Sequence, residues 1–437
     1  MLIASLLFLS LFKELYSPAL GGLSLSPAVE NFKCRFACFS IMALMKEARE
    51  YKDGNAWPFL LMVFFLSRLF FFGVGAAATA LLPPIESGDN QSPTGFLDSW
   101  ARWDGGWYSR IATEGYSLDN PDTTAFFPLF PLLLRGGGLV GVSPAVSGVL
   151  VSLMACFLAF FFLYHIAKER WEEEMARATT LCFAFFPTAF YLNAVYTEAL
   201  FIALSAGSLW AAHVRRNLLL ASSLGALAAA TRSLGVLLLI PLAYEWLRSR
   251  REFGWSGLWL GLVPASLLTY TAFLWVRFGD PFITIERQAT WGRHLQNPLT
   301  TIKKAWEEAG AGLKQVLDPA SLFLDQTLQP SQVAAGATYF ALFVLFFLLM
   351  AVGVALLPKE FWVYALLLVL VPLLNTSPYR VLTSMARFEL TAFPVFFVLG
   401  WLLSRAPLKP ALWCWLLISG TIGAAEAALF VTGRWML

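Results

Sequence analysis

The sequence predicts an all-α polytopic membrane protein with about 10–12 membrane helices, one pair of them broken. Three observations carry this. Charged residues make up 14% of the 437 positions, against about 25% in soluble domains. Mean hydropathy is +0.65, and several stretches exceed the roughly 20 apolar residues that a bilayer-crossing helix needs. Lys and Arg gather in short loops between those stretches, as membrane topology requires. A net charge of +3 points to no nucleic-acid partner, and 39 Phe with 17 Trp suit lipid-facing surfaces and interfacial belts.

Residues 1–44 stand apart from the rest. Positions 1–12 are apolar but short, more like a signal-type segment than a span. Met45-Lys46-Glu47-Ala48-Arg49 then reads as a cytoplasmic start. A start near Met42 or Met45 and an extra N-terminal helix both fit. Residues 45–437 read as one integral-membrane domain. Spans are expected over 57–82, 144–167, 177–192, 198–213, 255–277, 334–357, 361–374, 388–404 and 411–431. The apolar stretch 218–247 is interrupted by Thr231-Arg232-Ser233, long for one span and short for two.

The positive-inside rule orients these elements. Lys46, Arg49 and Lys52 precede the first span. Lys168, Arg170, Arg177, Arg215, Arg216, Arg248, Arg250, Arg251, Lys359, Arg405 and Lys409 follow in later loops. All are cytoplasmic only if 218–247 enters and returns on the same side, as a broken pair with Arg232 near its apex. A single tilted span is the alternative. Loops 83–125, 278–333 and 375–387 then lie outside, where long loops usually carry function. Of five cysteines, Cys156, Cys182 and Cys414 fall in apolar spans, while Cys34 and Cys38 could form one pair. The histidines are scattered, with no spacing that suggests a zinc site.

The chemistry-bearing residues sit in the outer loops. Arg102-Trp103-Asp104-Gly105-Gly106-Trp107-Tyr108 follows the first span. Read as a helix over 100–111, at about 100° per residue, it puts Trp100, Trp103, Trp107 and Ile111 on one stripe. Asp104 falls at the edge of that stripe, and Asp98 points well away. An interfacial anchor with an incidental Asp is the plain alternative. Phe126-Phe127-Pro128-Leu129-Phe130-Pro131 suggests a kinked or re-entrant segment, or an ordinary span start. Tyr196 and Glu198 sit at an outside turn, where an acid also suits the helix N-terminus. Arg232 and Arg68 are each costly in an apolar stretch, by roughly 2.5–3.5 kcal/mol. Each therefore serves an ion pair or a phosphate.

Gln288, Trp291 and His294 recur at helical spacing. Trp stacks on sugar rings, and Gln and His bond hydroxyls; an interfacial helix is the alternative. Arg380 precedes Arg387, which lies at the outside end of a span near headgroup height, suited to bidentate phosphate contact or simple snorkelling. There is no phosphate-binding Gly-rich loop, no Ser/His/Asp pattern and no Asp-x-Asp. The last absence leans toward a donor that is already lipid-linked.

Taken together, the motifs resemble the PIG-V family of mannosyltransferases and its prokaryotic relatives. The matching pieces are Arg102-Trp103-Asp104 with Trp107-Tyr108, Phe126-Phe127-Pro128-Leu129 with Pro131, Tyr196-Thr197-Glu198, Thr231-Arg232-Ser233 with Gly235, Phe278-Gly279-Asp280-Pro281 with Gln288 and Trp291, and Arg387-Phe388 with Phe393-Pro394. They occur in the family's order over about residues 57–400. The resemblance implies a GT-C glycosyltransferase fold with its site at the outer membrane face. It implies transfer of mannose, or a similar hexose, from a polyprenyl-phosphate sugar to a lipid-linked glycan or protein acceptor, with inversion. The membrane would be the plasma membrane in a prokaryote and the endoplasmic reticulum in a eukaryote.

By position, Asp104 matches the acid in the family's first outer loop and is the candidate base. Arg232, Arg387 and Arg293 are candidates for the donor phosphate. Trp103, Trp107, Tyr108, Tyr196, Glu198, Gln288, Trp291 and His294 are candidates for substrate contact. A metal is not obligatory with a leaving group this good. The competing readings are a lipid or solute transporter with a mid-membrane site, and a catalytically inactive scaffold.

Overall fold

The computed structural model describes residues 56–85, 95–325, 327–377, 381–405 and 409–434, apart from the side chains of Trp291 and Lys409. The N-terminal extension, Cys34, Cys38 and Arg380 lie outside the described residues. The chain is a multi-pass helical membrane protein. Among the described residues, five helical segments are long and apolar enough to cross a bilayer, or six if one sharply bent pair is a single span.

The long segments are α1 (Ala56–Leu81), α4 (Pro144–Arg170), α9 (Leu262–Phe278, extended backward in 3₁₀ form), α13 (Gln329–Leu356) and α17 (Lys409–Val431). Helix α4 shows why such segments form where they do. Ser143 accepts from the Val146 N–H at 3.4 Å, Pro144 opens the first turn, and Lys168 and Arg170 fall in the last turn. Between these run α2 (Asp104–Glu114), α3 (Leu129–Gly138), α5 (Glu173–Ala184), α6 (Glu198–His213), α7 (Leu218–Thr231) and α8 (Leu239–Arg248). Later come α10 (Ile283–Gln288), α11 (Pro298–Val316), α12 (Pro319–Leu324), α14 (Lys359–Leu374), α15 (Met385–Thr391) and α16 (Pro394–Ser404). Helices α4, α5, α6 and α16 form the centre, packed through small residues. A Cβ on Gly400, for example, would sit 2.1 Å from the Thr179 hydroxyl.

Several expectations are corrected. Helices α5, α6, α7 and α14 are 12, 16, 14 and 16 residues long, so among the described residues at most six segments, against about 10–12 membrane helices expected, are long and apolar enough to cross the bilayer. The segment expected over 177–192 stops at Ala184, because Pro187 disfavours helix just before it. The segment expected as one span over 388–404 is the bent pair α15–α16, with a 78° turn before Pro394. The break in 218–247 stands as expected. Helix α7 ends at Thr231, Arg232 is extended (φ −153°, ψ 142°), and a 3₁₀ segment over 233–238 leads into α8. That segment folds straight back onto α7: a Cβ on Gly235 would lie 2.3 Å from the Ala229 nitrogen, so only glycine fits.

Arg68 answers its own question. Its guanidinium donates to the Ala184 carbonyl at 2.9 Å, the Ala189 carbonyl at 2.8 Å and Asn193 Oδ1 at 2.6 Å. It satisfies carbonyls left over where α5 ends early, so its role is structural. The Phe126–Pro131 motif leads into the short helix α3, not a span.

Candidate functional site

The 100–111 segment is not one helix. A 3₁₀ turn covers Phe96–Trp100, and α2 starts only at Asp104. Between them Trp103 takes φ 48°, ψ −111°, a backbone conformation unusual for a side-chain-bearing residue. The aromatic stripe is therefore no interfacial belt. Trp100 is fully buried against Phe72, Trp103 packs on Phe430, and Trp107 stacks on Phe126 at 5.7 Å. The break turns Asp104 into a cavity as the first residue of α2, where the helix dipole favours its carboxylate.

The cavity has a volume of about 1770 Å³. Its walls come from the 98–127 region, the break at 231–234, helix α9, residues 281–295, the end of α14 and residues 383–388. Loops distant in sequence thus converge on one space. Asp104, Arg232, Arg293 and Arg387 all border it, as do Trp103, Trp107, Tyr108, Gln288 and His294. Tyr196 and Glu198 do not; both are fully buried behind the wall. The Trp291 side chain lies outside the described residues. Asp98, expected to point away, also borders the cavity.

Charge organises this wall. Arg387 Nη1 donates to Asp104 Oδ2 at 2.6 Å, and its Nε lies 3.0 Å from Glu198 Oε1. Arg232 Nη2 donates to that same Glu198 oxygen at 2.7 Å. Glu198 is therefore the buried counter-charge that two arginines share, not a lining residue. It opens α6, again at a helix N-terminus. Arg293 completes the set. Desolvation, then the like charge of Arg387, pull its guanidinium down to about 10. Three guanidiniums face two carboxylates, so the wall carries a surplus of one positive charge. Burial, then the nearby Asp104 charge, also hold the Tyr108 phenol well above its ordinary value, so it stays protonated.

Two features of the site were not read from the sequence. Phe388 is a common platform: Arg232, Arg293 and Arg387 lie 5.4, 5.3 and 5.6 Å from its ring centre. Ser384, at the head of α15, is left-handed (φ 65°, ψ 4°), and this aims the first turn that carries Arg387. Position-specific backbone strain leaves no mark on composition or spacing. The expected helical row Gln288–Trp291–His294 is also not one helix face. Gly292 turns left-handed (φ 69°), and His294–Leu295 (β1) pairs antiparallel with Asn375–Thr376 (β2). This two-residue ladder ties the 281–295 wall to the end of α14.

The profile of the family described as Mannosyltransferase (PIG-V) matches residues 59–248. That stretch holds Asp104, Glu198 and Arg232 but not Arg293 or Arg387. GPI mannosyltransferase 2 of Schizosaccharomyces pombe is 30% identical over 115 residues, 24% of this chain and 24% of that protein. The chain thus spans about a quarter of the length of the curated relative it matches. The crystal structure of ArnT from Cupriavidus metallidurans bound to undecaprenyl phosphate aligns over 87% of this chain and 79% of that one, with 14% identity and a TM-score of 0.39.

Proposed function

We propose that this protein is a membrane glycosyltransferase of the GT-C type. In this reading it moves mannose, or a similar hexose, from a polyprenyl-phosphate sugar to a hydroxyl of a lipid-linked glycan or protein, with inversion. The observation that carries it is one cavity in which a carboxylate, Asp104, stands beside three guanidiniums on a single phenyl platform. The similarity over residues 59–248 supports the same class. The basic residues Arg216 and Arg248 lie near the far end of α6, at His213. By the positive-inside rule this supports an outer-face position for the cavity.

The chemistry follows from the charges. The acceptor oxygen attacks the anomeric carbon as the bond from that carbon to the phosphate oxygen breaks. The proton passes to Asp104, and the electron pair leaves with the polyprenyl phosphate. The surplus positive charge of Arg232, Arg293 and Arg387 stabilises the phosphate as its charge grows. Arg387 is bonded to Asp104 at 2.6 Å. A phosphate competes for Arg387, so donor arrival loosens that bond and frees Asp104 Oδ2 to meet the acceptor hydroxyl. Tyr108, Trp107, Gln288 and His294 are placed to orient sugars. The apolar side of the cavity, with Leu267, Leu274, Phe282 and Ile285, suits a prenyl chain. No step requires a metal.

The test is transfer by purified full-length protein in nanodiscs. Labelled polyprenyl-phosphate mannose is the first donor, other hexoses are comparators, and a panel of glycolipid acceptors is supplied. Sugar transfer with inverted anomeric configuration is expected. Absence of both transfer and donor hydrolysis with every donor, together with donor movement across proteoliposomes, would replace the enzyme by a transporter. The convergence of the 98–127 and 281–295 regions on one cavity favours the enzyme.

A further inference from the structure

A second cluster of ligand-type side chains lies about 22 Å from Glu198, at the other end of α6. His213 ends α6, Glu245 lies in α8, and Glu360 opens α14. One ligand atom from each falls within 4.8 Å of the other two. Ordinary explanations account for only part of this group. Glu360 suits a helix N-terminus and His213 a C-terminus. Arg216 donates to Glu245 Oε1 and makes a two-pronged pair with Glu252, at 3.0 and 2.5 Å. What remains is unexplained. Glu245 is 2% exposed and Glu360 4% exposed. Glu245 Oε2, Glu360 Oε1 and His213 Nε2 are buried with no hydrogen-bond partner among the described residues. Glu245 has Arg216, but Glu360 has no cationic partner among the described residues, and a buried carboxylate without a compensating charge is costly.

We propose that His213, Glu245 and Glu360 bind a divalent transition-metal cation, zinc being the best fit, which pins together the inner ends of α6, α8 and α14. The donor set is one imidazole nitrogen and two carboxylates, typical of zinc and unlike the all-oxygen sets of calcium. The 3.4 Å between His213 Nδ1 and Glu245 Oε2 matches the edge of a zinc tetrahedron, about 3.4 Å for ligands about 2.1 Å from the ion. The consequence reaches the cavity, because the far end of α14 supplies Val371, Pro372 and Leu374 to its wall, followed directly by Asn375. This inference is independent of the glycosyl-transfer reading.

The test uses full-length protein in nanodiscs, stripped with a chelator and then titrated with Zn²⁺, with Ca²⁺ and Mg²⁺ as comparators. Bound metal is measured by elemental analysis and thermal unfolding is followed in parallel. One Zn²⁺ per chain is expected, with a raised Tm and no comparable response to Ca²⁺ or Mg²⁺. Glu360→Gln keeps the shape and should weaken Zn²⁺ binding at least tenfold. His213→Gln, on another helix, should do the same if the first variant fails to fold. Cobalt substitution should give the visible spectrum of a tetrahedral site in wild type and lose it in either variant. Wild type holding no stoichiometric zinc would overturn the proposal. So would equal zinc binding in wild type and both variants, which would mark the ion as adventitious.

Discussion

Asp104→Asn separates a base from a structural anchor, because the two roles predict opposite changes in donor affinity. The substitution keeps the side-chain shape and removes the charge. Arg387 loses its partner at 2.6 Å but keeps Glu198 at 3.0 Å, so it still has a buried counter-charge. The Asp104 side chain is 24% exposed to the cavity and Arg387 keeps Glu198, so the lost ion pair should change stability by about 1–3 kcal/mol. If Asp104 is the base, turnover falls by about 10²–10⁴-fold, or roughly 2.7–5.5 kcal/mol of barrier. Meanwhile Arg387 is released to the phosphate, and donor binding tightens by about 5-fold, equivalent to about 1 kcal/mol. Single-turnover kinetics and equilibrium binding of a non-hydrolysable donor analogue measure the two effects. Asp119→Asn, at an exposed position that does not border the cavity, is the control; Asp98 borders the cavity and is unsuitable. Near-normal turnover would refute the base assignment. Weakened donor binding would refute the competition between phosphate and Asp104 for Arg387.

Other perturbations test the rest of the wall. Arg232→Ala should weaken donor binding about 10–100-fold while expression holds, because Glu198 keeps Arg387; unchanged binding would leave Arg232 as a structural ion-pair residue. Phe388→Leu removes the surface shared by three guanidiniums and should weaken donor binding by about 1–2 kcal/mol, with Phe388→Tyr restoring it; equal affinity for Phe and Leu would dismiss the platform. In a background lacking the exposed Cys414, single cysteines at 119 or 318 should react with an impermeant thiol reagent on intact cells and those at 215 or 250 should not; the reverse labelling would invert the topology.

Much of this was legible in the sequence, and what was missed has a common cause. The cost of burying a guanidinium marked Arg232, and the structure puts it at a chain break beside a carboxylate. That same cost marked Arg68, whose partners turned out to be carbonyls. Asp104, Arg293 and Arg387, separated by up to 283 residues, line one cavity. Errors arose wherever a regular period was extended through a break. The helix read over 100–111 ignored the turn at Trp103, and the row 288–294 ignored the left-handed Gly292. Periodicity describes residues that continue an element. It is silent about a residue whose backbone angles are imposed by the packing around it, such as Trp103 against Phe430. Glu198 lies behind the wall instead of in it, a distinction that sequence does not carry.

The site is assembled almost wholly from helix ends, and that has a physical reason. Asp104 and Glu198 each open a helix, Arg232 caps one, and Arg387 sits in a first turn next to a left-handed residue. In a membrane interior every helical backbone group is already bonded within its own helix. Only at an end can unbonded N–H groups and side chains meet a polar ligand together. A charge there draws on the dipole and still reaches the aqueous side of the cavity. Backbone angles such as those of Trp103 and Ser384 cost about 1–3 kcal/mol each, which only a well-packed frame sustains. That frame joins the buried Glu198 behind the wall, which holds two guanidiniums, to Phe388 in the wall itself, which carries three. A ligand that withdrew Arg387 from Asp104 would leave Arg387 anchored to Glu198. The carboxylate nearest solvent is therefore the one free to change partners, and the buried one is not.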